Sequence, residues 1–266
     1  MPKNYNTTEL DPYLALDRQV VHRDMNAHLW RWSFVLGRAR MEDTFADFGC
    51  GSGNLLETLY RNKFRPGYYV GTDIRRKTIE QANEKFGALK FPALFYAVDL
   101  VQDWSPEDLR PDLVFPELAE LGPPKHVTSF EVIEHVGKQR GRKFLENFMM
   151  CGGPDSTYYL STPNYDPQVG AAGNHCYDSG DGRGVDVQEW DHDELNELIE
   201  DVGFEIVEEF GTFASKKDYW PTLSDTDKEL YRRLKRYYDS NLVSNIMAPL
   251  VPARLGRNAL RVLVRK

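Results

Sequence analysis

Two strings in this 266-residue chain concentrate side chains able to do chemistry. In Phe130-Glu131-Val132-Ile133-Glu134-His135-Val136, two carboxylates and an imidazole fall within five residues. Such a set suits a hard or borderline divalent cation such as magnesium, and His135 alone suits a general base. Glu131 lies three residues from Glu134 and four from His135, a spacing that brings side chains together on one helical turn. Glu131, Glu134 and His135 are therefore candidates both for catalysis and for metal ligation.

The second string is Ala46-Asp47-Phe48-Gly49-Cys50-Gly51-Ser52-Gly53-Asn54. Glycines between a strand and a helix let the backbone turn tightly and let a ligand reach the main chain. The G-x-G-x-G spacing of Gly49, Gly51 and Gly53 departs from the G-x-G-x-x-G that seats a pyrophosphate, so the ligand need not carry phosphates. Asp47 stands where it could hold an amine. Asp73, with Ile74 beside it, ends a second strand and can accept hydrogen bonds from both ribose hydroxyls. Asp99, next to Leu100, follows a third strand and offers a carboxylate to an adenine amino group. Singly, Asp73 also reads as a helix cap and Asp99 as a turn former. In this order at three strand ends, the acids describe S-adenosylmethionine (SAM) better than a dinucleotide.

The elements that must position these strings follow a β-α-β-α rhythm. Strands are expected over 44–48, 68–74, 94–98, 126–130, 157–161, 204–208 and 259–264, and helices over 55–61, 77–86, 142–150 and 193–202. The rhythm predicts a doubly wound α/β sheet, mainly parallel, with helices on both faces. Ahead of it, Val20, Val21, Met25, Leu29, Trp32 and Val35 or Leu36 recur at helical steps. The expected organisation is one domain: a helical cap over 1–42, a binding core over 43–211, a helical, lid-like insertion over 212–257 and a last strand over 258–266.

On these strings the chain resembles the class I SAM-dependent methyltransferases. The resemblance implies a Rossmann-like seven-stranded sheet with an antiparallel last strand, and SAM as cofactor. His28-Leu29-Trp30-Arg31-Trp32 resembles the segment that closes the methionine end of SAM in that family, which implies Arg31 as partner of the methionine carboxylate; a plain surface arginine is the other reading. Glu131–His135, Ser161-Thr162-Pro163-Asn164 and Gln188-Glu189-Trp190 resemble two branches. One comprises the ubiquinone-biosynthesis O-methyltransferases. The other comprises the small-RNA 3′-end 2′-O-methyltransferases, in which Glu-Val-Ile-Glu-His supplies three metal ligands and a later histidine a fourth. Here Asp186 stands at that later position, with His175 as another candidate. The function expected is O-methylation of a small-molecule hydroxyl, with His135 as base or metal ligand. The alternatives are a metal-dependent enzyme acting on RNA ends or a nucleotide-linked substrate, and a non-catalytic SAM-binding protein.

Composition excludes further classes. Asn241–Ala253, the longest uncharged stretch, is too short for a membrane span, and the start lacks the layout of a signal peptide, so a cytoplasmic location is expected. Three cysteines without a C-x-x-C suggest neither a disulfide framework nor a structural zinc site. The net charge of −8 hides a division: from Lys216 onward the chain carries twelve basic and five acidic residues. An anionic acceptor fits that segment, whereas coating of duplex DNA by an acidic body does not. Asn164-Tyr165-Asp166-Pro167 lacks the paired prolines of exocyclic-amine DNA methyltransferases, and no cysteine follows a proline as the cytosine-C5 reaction requires.

Overall fold

Phe45-Ala46-Asp47-Phe48 is buried at every position and forms β1 (Phe45–Phe48), as expected of a central strand covered on both faces. The structure is a computed structural model and describes residues 23–88, 92–102, 105, 109, 111–114, 116–165, 177–178, 184–185, 188–212, 219–238 and 240–266. Val20, Val21, His175 and Asp186 lie outside the described residues. β2 (Tyr69–Asp73), β3 (Ala93–Ala97), β4 (His126–Phe130) and β5 (Thr157–Pro163) run parallel to β1. With β6 (Phe204–Thr212) and β7 (Asn258–Arg265) they form a seven-stranded sheet in the order β3-β2-β1-β4-β5-β7-β6. β7, the last strand in the chain, lies between β5 and β6 and is antiparallel to both.

Alternation along the strands builds two cores. Phe45, Tyr69, Phe95, Tyr159 and Val262 face α1 (Arg23–Arg38), α2 (Asn54–Arg61) and α3 (Arg76–Phe86), which contribute Trp32 and Val35, Leu55 and Leu59, and Ile79 and Phe86. Phe48, Val70, Val127, Leu160 and Leu263 face the other way. There they meet Phe144 and Phe148 of α5 (Lys138–Cys151) and Leu195 and Ile199 of α6 (His192–Val202); the single turn α4 (Ile133–Val136) precedes α5. Burying one such Phe or Leu side chain contributes about 1.5–3 kcal/mol. α6 starts and stops on readable signals: the Asp191 side chain accepts from the Asp193 and Glu194 amides, and Gly203 closes the helix at φ +109°.

The segment before β7 is helical, with α7 (Asp225–Leu234) and α8 (Ser240–Ile246) around a small core of its own. α8 packs against α1. Two-residue strands, Tyr177–Asp178 and Gly184–Val185, pair as a separate ribbon. No helix among the described residues is long and apolar enough to cross a membrane.

Candidate active site

The glycine string turns β1 into α2 with Gly49, Gly51 and Gly53 all left-handed, at φ +73°, +56° and +80°. A Cβ on Gly49 would stand 2.2 Å from Val132 Cγ2, and one on Gly53 2.5 Å from the Phe86 ring. A Cβ on Gly51 would meet nothing within 4 Å. The loop is thus packed at both ends and open in the middle, where a ligand can approach the main chain.

The three acids sit at successive strand ends, in distinct environments. Asp47 is buried, its Oδ2 accepting from Tyr69 Oη at 2.5 Å and its Oδ1 from Thr128 Oγ1 at 2.7 Å. Burial outweighs those two hydrogen bonds and pushes its carboxyl from the ordinary 3.8 up to about 6, with the nearby Asp73 adding a smaller upward push. Asp73 reaches across to the loop and accepts from the Gly51 amide at 3.1 Å. It also accepts from the Arg75 amide at 2.9 Å and from Arg75 Nε at 3.0 Å, so a ribose would share oxygens that already have donors. Asp99 accepts from the Val101 amide at 3.2 Å and from Gln102 Nε2 at 3.1 Å, shaping the turn after β3. Beside these acids, Ile74 is exposed and Leu100 is buried in the core.

Asp47 yields a testable pH dependence. With its pKa raised, the fold favours the protonated carboxyl; that stabilisation is complete below pH ~4 and is lost as pH rises through about 6, leaving a cost of ~3 kcal/mol at neutral pH. Asp47→Asn is expected to raise the melting temperature at pH 8 and to change it much less at pH 4. Equal shifts at the two pH values in thermal melts would contradict the burial account.

The Glu131–His135 string departs from the sequence expectation. Glu131 is left-handed, at φ +60°, and stands before α4 instead of on it, so the three side chains do not share one helical face. Neighbouring residues of β5 hold the two carboxylates: Glu131 accepts from Ser161 Oγ at 2.9 Å and Glu134 from Thr162 Oγ1 at 2.9 Å. Glu131 also accepts from Asn258 Nδ2 of β7 and lies 3.3 Å from Arg31 Nη1. Glu134 is buried, and that burial, with the Glu131 charge second, holds its carboxyl well above the usual range. His135 is partly exposed, its Nε2 3.8 Å from Glu134 Oε1. Among the described residues, no three His, Cys, Asp or Glu side chains come close enough to hold a metal ion.

Arg31 is 2% exposed, not a surface arginine. Its Nη2 is 3.1 Å from His28 Nδ1, and burial first and the Arg31 charge second push His28 well below the ordinary imidazole range. Arg31 Nε and Nη1 are buried without a hydrogen-bond partner.

Sequence reasoning missed a set of long-range contacts around Arg257 and Asn164. Arg257 forks onto Glu189, Nη1 to Oε2 at 3.0 Å and Nη2 to Oε1 at 2.5 Å, and donates to the Asn164 carbonyl at 2.7 Å. Asn164 Nδ2 in turn donates to the carbonyls of Ala253 at 3.0 Å and Gly256 at 2.8 Å. These pairs are dozens of residues apart, and no spacing rule reaches that far.

The sequence model of a methyltransferase domain matches residues 23–209. A trans-aconitate 2-methyltransferase from Variovorax paradoxus is 32% identical over 80 residues, 30% of this chain and 29% of that protein, so the match spans under a third of the relative's length. The fold is similar to that of a S-adenosylmethionine-dependent methyltransferase from Clostridium acetobutylicum, with TM-score 0.57 and 11% identity over 95% of this chain and 96% of that one. It is also similar to the small RNA methyltransferase HEN1, with TM-score 0.54 and 19% identity over 89% of this chain and 25% of that one.

Proposed function

The chain belongs to the SAM-dependent methyltransferases, and from that premise we propose that it methylates a hydroxyl of a small-molecule acceptor, with His135 accepting the hydroxyl proton. SAM, when bound, supplies the electrophilic methyl carbon; the chain contributes alignment and a place for the proton. In this reading the open loop at Gly51, flanked by Gly49 and Gly53, lies along the cofactor. Asp73, Ile74, Asp99 and Leu100 hold its nucleoside, Asp47 faces its amine, and Arg31 pairs with its carboxylate. Arg31 Nε, buried without a partner, supports that last role, while Nη1 faces the Glu131 carboxylate at 3.3 Å; a buried guanidinium with a donor to spare suits a second carboxylate. Arg31→Ala is expected to weaken SAM binding ~10–100-fold in calorimetry; unchanged affinity would remove Arg31 from the site.

The observation that carries the hydroxyl reading is the place of His135. It follows the carboxyl end of β4, three residues after Val132, which packs on the glycine loop, and its ring is partly exposed, so it can face an acceptor bound beside the loop. A hydroxyl needs its proton removed, whereas an amine needs little beyond desolvation. Metal ligation by Glu131, Glu134 and His135 fits less well: the two carboxylates are held by different hydroxyls, and the Arg31 guanidinium already faces Glu131. The test is transfer from labelled SAM to small hydroxylated acceptors and to RNA oligonucleotides, with and without a chelator. Transfer confined to RNA ends, or abolished by chelation, would overturn the proposal.

A further inference from the structure

The insertion before β7 carries an apolar stripe that its own packing does not use. Val243, Met247 and Val251, at four-residue steps along α8 and the turn after it, point into the small core with Tyr219, Leu223 and Tyr231. One position earlier, Leu242, Ile246 and Leu250 repeat the same step and stay 37%, 45% and 43% exposed. They remain so with α8 packed against α1. Tyr237 and Tyr238, which lead into α8, are 80% and 50% exposed. Scattered exposed leucines are ordinary, but three in register beside an already buried stripe give a short helix two apolar faces, one facing water.

The segment leading into this stripe is basic on an otherwise acidic chain. Arg232, Arg233, Lys235 and Arg236 fall at the end of α7 and just beyond it. Glu229 faces both Arg232, at 3.5 Å, and Arg233, at 3.3 Å, and Lys235 reaches the Ser240 hydroxyl. Four basic residues against Glu229 and, next in sequence before α8, Asp239 leave the segment positively charged.

We propose that this face of the insertion rests on an anionic membrane surface, the aliphatic stripe and the tyrosines entering the headgroup layer and the basic cluster meeting lipid phosphates. Such a surface takes aliphatic, aromatic and basic groups together. Single-stranded RNA would satisfy the tyrosines and arginines and leave the aliphatic stripe in water. Resting on a bilayer needs no spanning helix.

The test is co-sedimentation of the full chain with vesicles of phosphatidylcholine alone and of phosphatidylcholine with phosphatidylglycerol. Binding to the anionic vesicles is expected, weakened by salt. The pairs Ile246→Ser with Leu250→Ser, and Arg233→Glu with Arg236→Glu, should each lower it about fivefold or more. Both pairs replace exposed side chains, so circular dichroism and SAM affinity should match the unmodified chain and show that the fold is intact. Failure to bind anionic vesicles, or binding that neither pair weakens, overturns the proposal. So does an RNA oligonucleotide that binds while vesicles do not, or a dimer in light scattering that the serine pair dissociates without any vesicle binding.

Discussion

His135→Ala is expected to lower kcat by ~10²–10⁴-fold while leaving the dissociation constant for SAM unchanged. The size follows from removing the group proposed to take the acceptor proton; the selectivity follows because His135 makes none of the contacts assigned to the cofactor. The ring is partly exposed on a single helical turn outside the two sheet cores, so the fold should survive its removal, which thermal melts check. Glu134→Gln is the companion variant. Burial and the Glu131 charge hold the Glu134 carboxyl well above its ordinary range, which favours the neutral form, and glutamine keeps that form's shape, so this variant should retain most of its turnover. Single-turnover rates and calorimetry on both variants separate the roles: full activity in His135→Ala would leave the imidazole a structural residue.

Gly51→Val is expected to weaken SAM binding by about 100-fold or more while the protein stays folded. The left-handed backbone at Gly51 costs a side chain ~1–2 kcal/mol, a modest loss for a chain of this size. No protein atom lies within 4 Å of the missing Cβ, so the added methyls project into the space the proposal gives to the cofactor. Gly49→Ala should behave differently, since its Cβ would overlap Val132 Cγ2 at 2.2 Å and disturb the turn itself. Thermal melts beside calorimetry distinguish the two glycines. A Gly51→Val protein with ordinary SAM affinity would show that the cofactor does not lie along the open part of the loop.

The strand framework was legible because its signals are local. Glycines bracket β1, an acid ends β2, and Gly203 closes α6, so most boundaries fell within a residue or two of the expectation. β6 ran on to Thr212, past its expected end, because β7 pairs with it along its whole length. The glycine turn after β1 and the acids at the ends of β1, β2 and β3 were legible as positions for the same local reason. The arrangement around Glu131 was not legible. Nothing in Phe-Glu-Val announces a left-handed glutamate, yet that one residue takes the first carboxylate off the helical turn. Its partner Asn258 lies 127 positions later, and the Arg257–Glu189 fork joins residues 68 apart. Only the topology brings such residues together, and periodicity carries no information about it.

The placement of β7 also sets an order of events in folding. β6 cannot join β5 directly; it is held in the sheet only through β7, whose residues come dozens of positions later in the chain. Until then β6 exposes unpaired backbone on both sides, the situation in which strands pair with the wrong chain. Glu205, Glu208 and Glu209, with the register shift between Ile206 and Glu208, make it a poor template for that error. The step that closes the sheet also delivers Arg257 and Asn258 to Glu189 and Glu131. These contacts to Glu189 and Glu131 are thus completed by the same event that ends the danger of misassociation, and a partly folded chain lacks both.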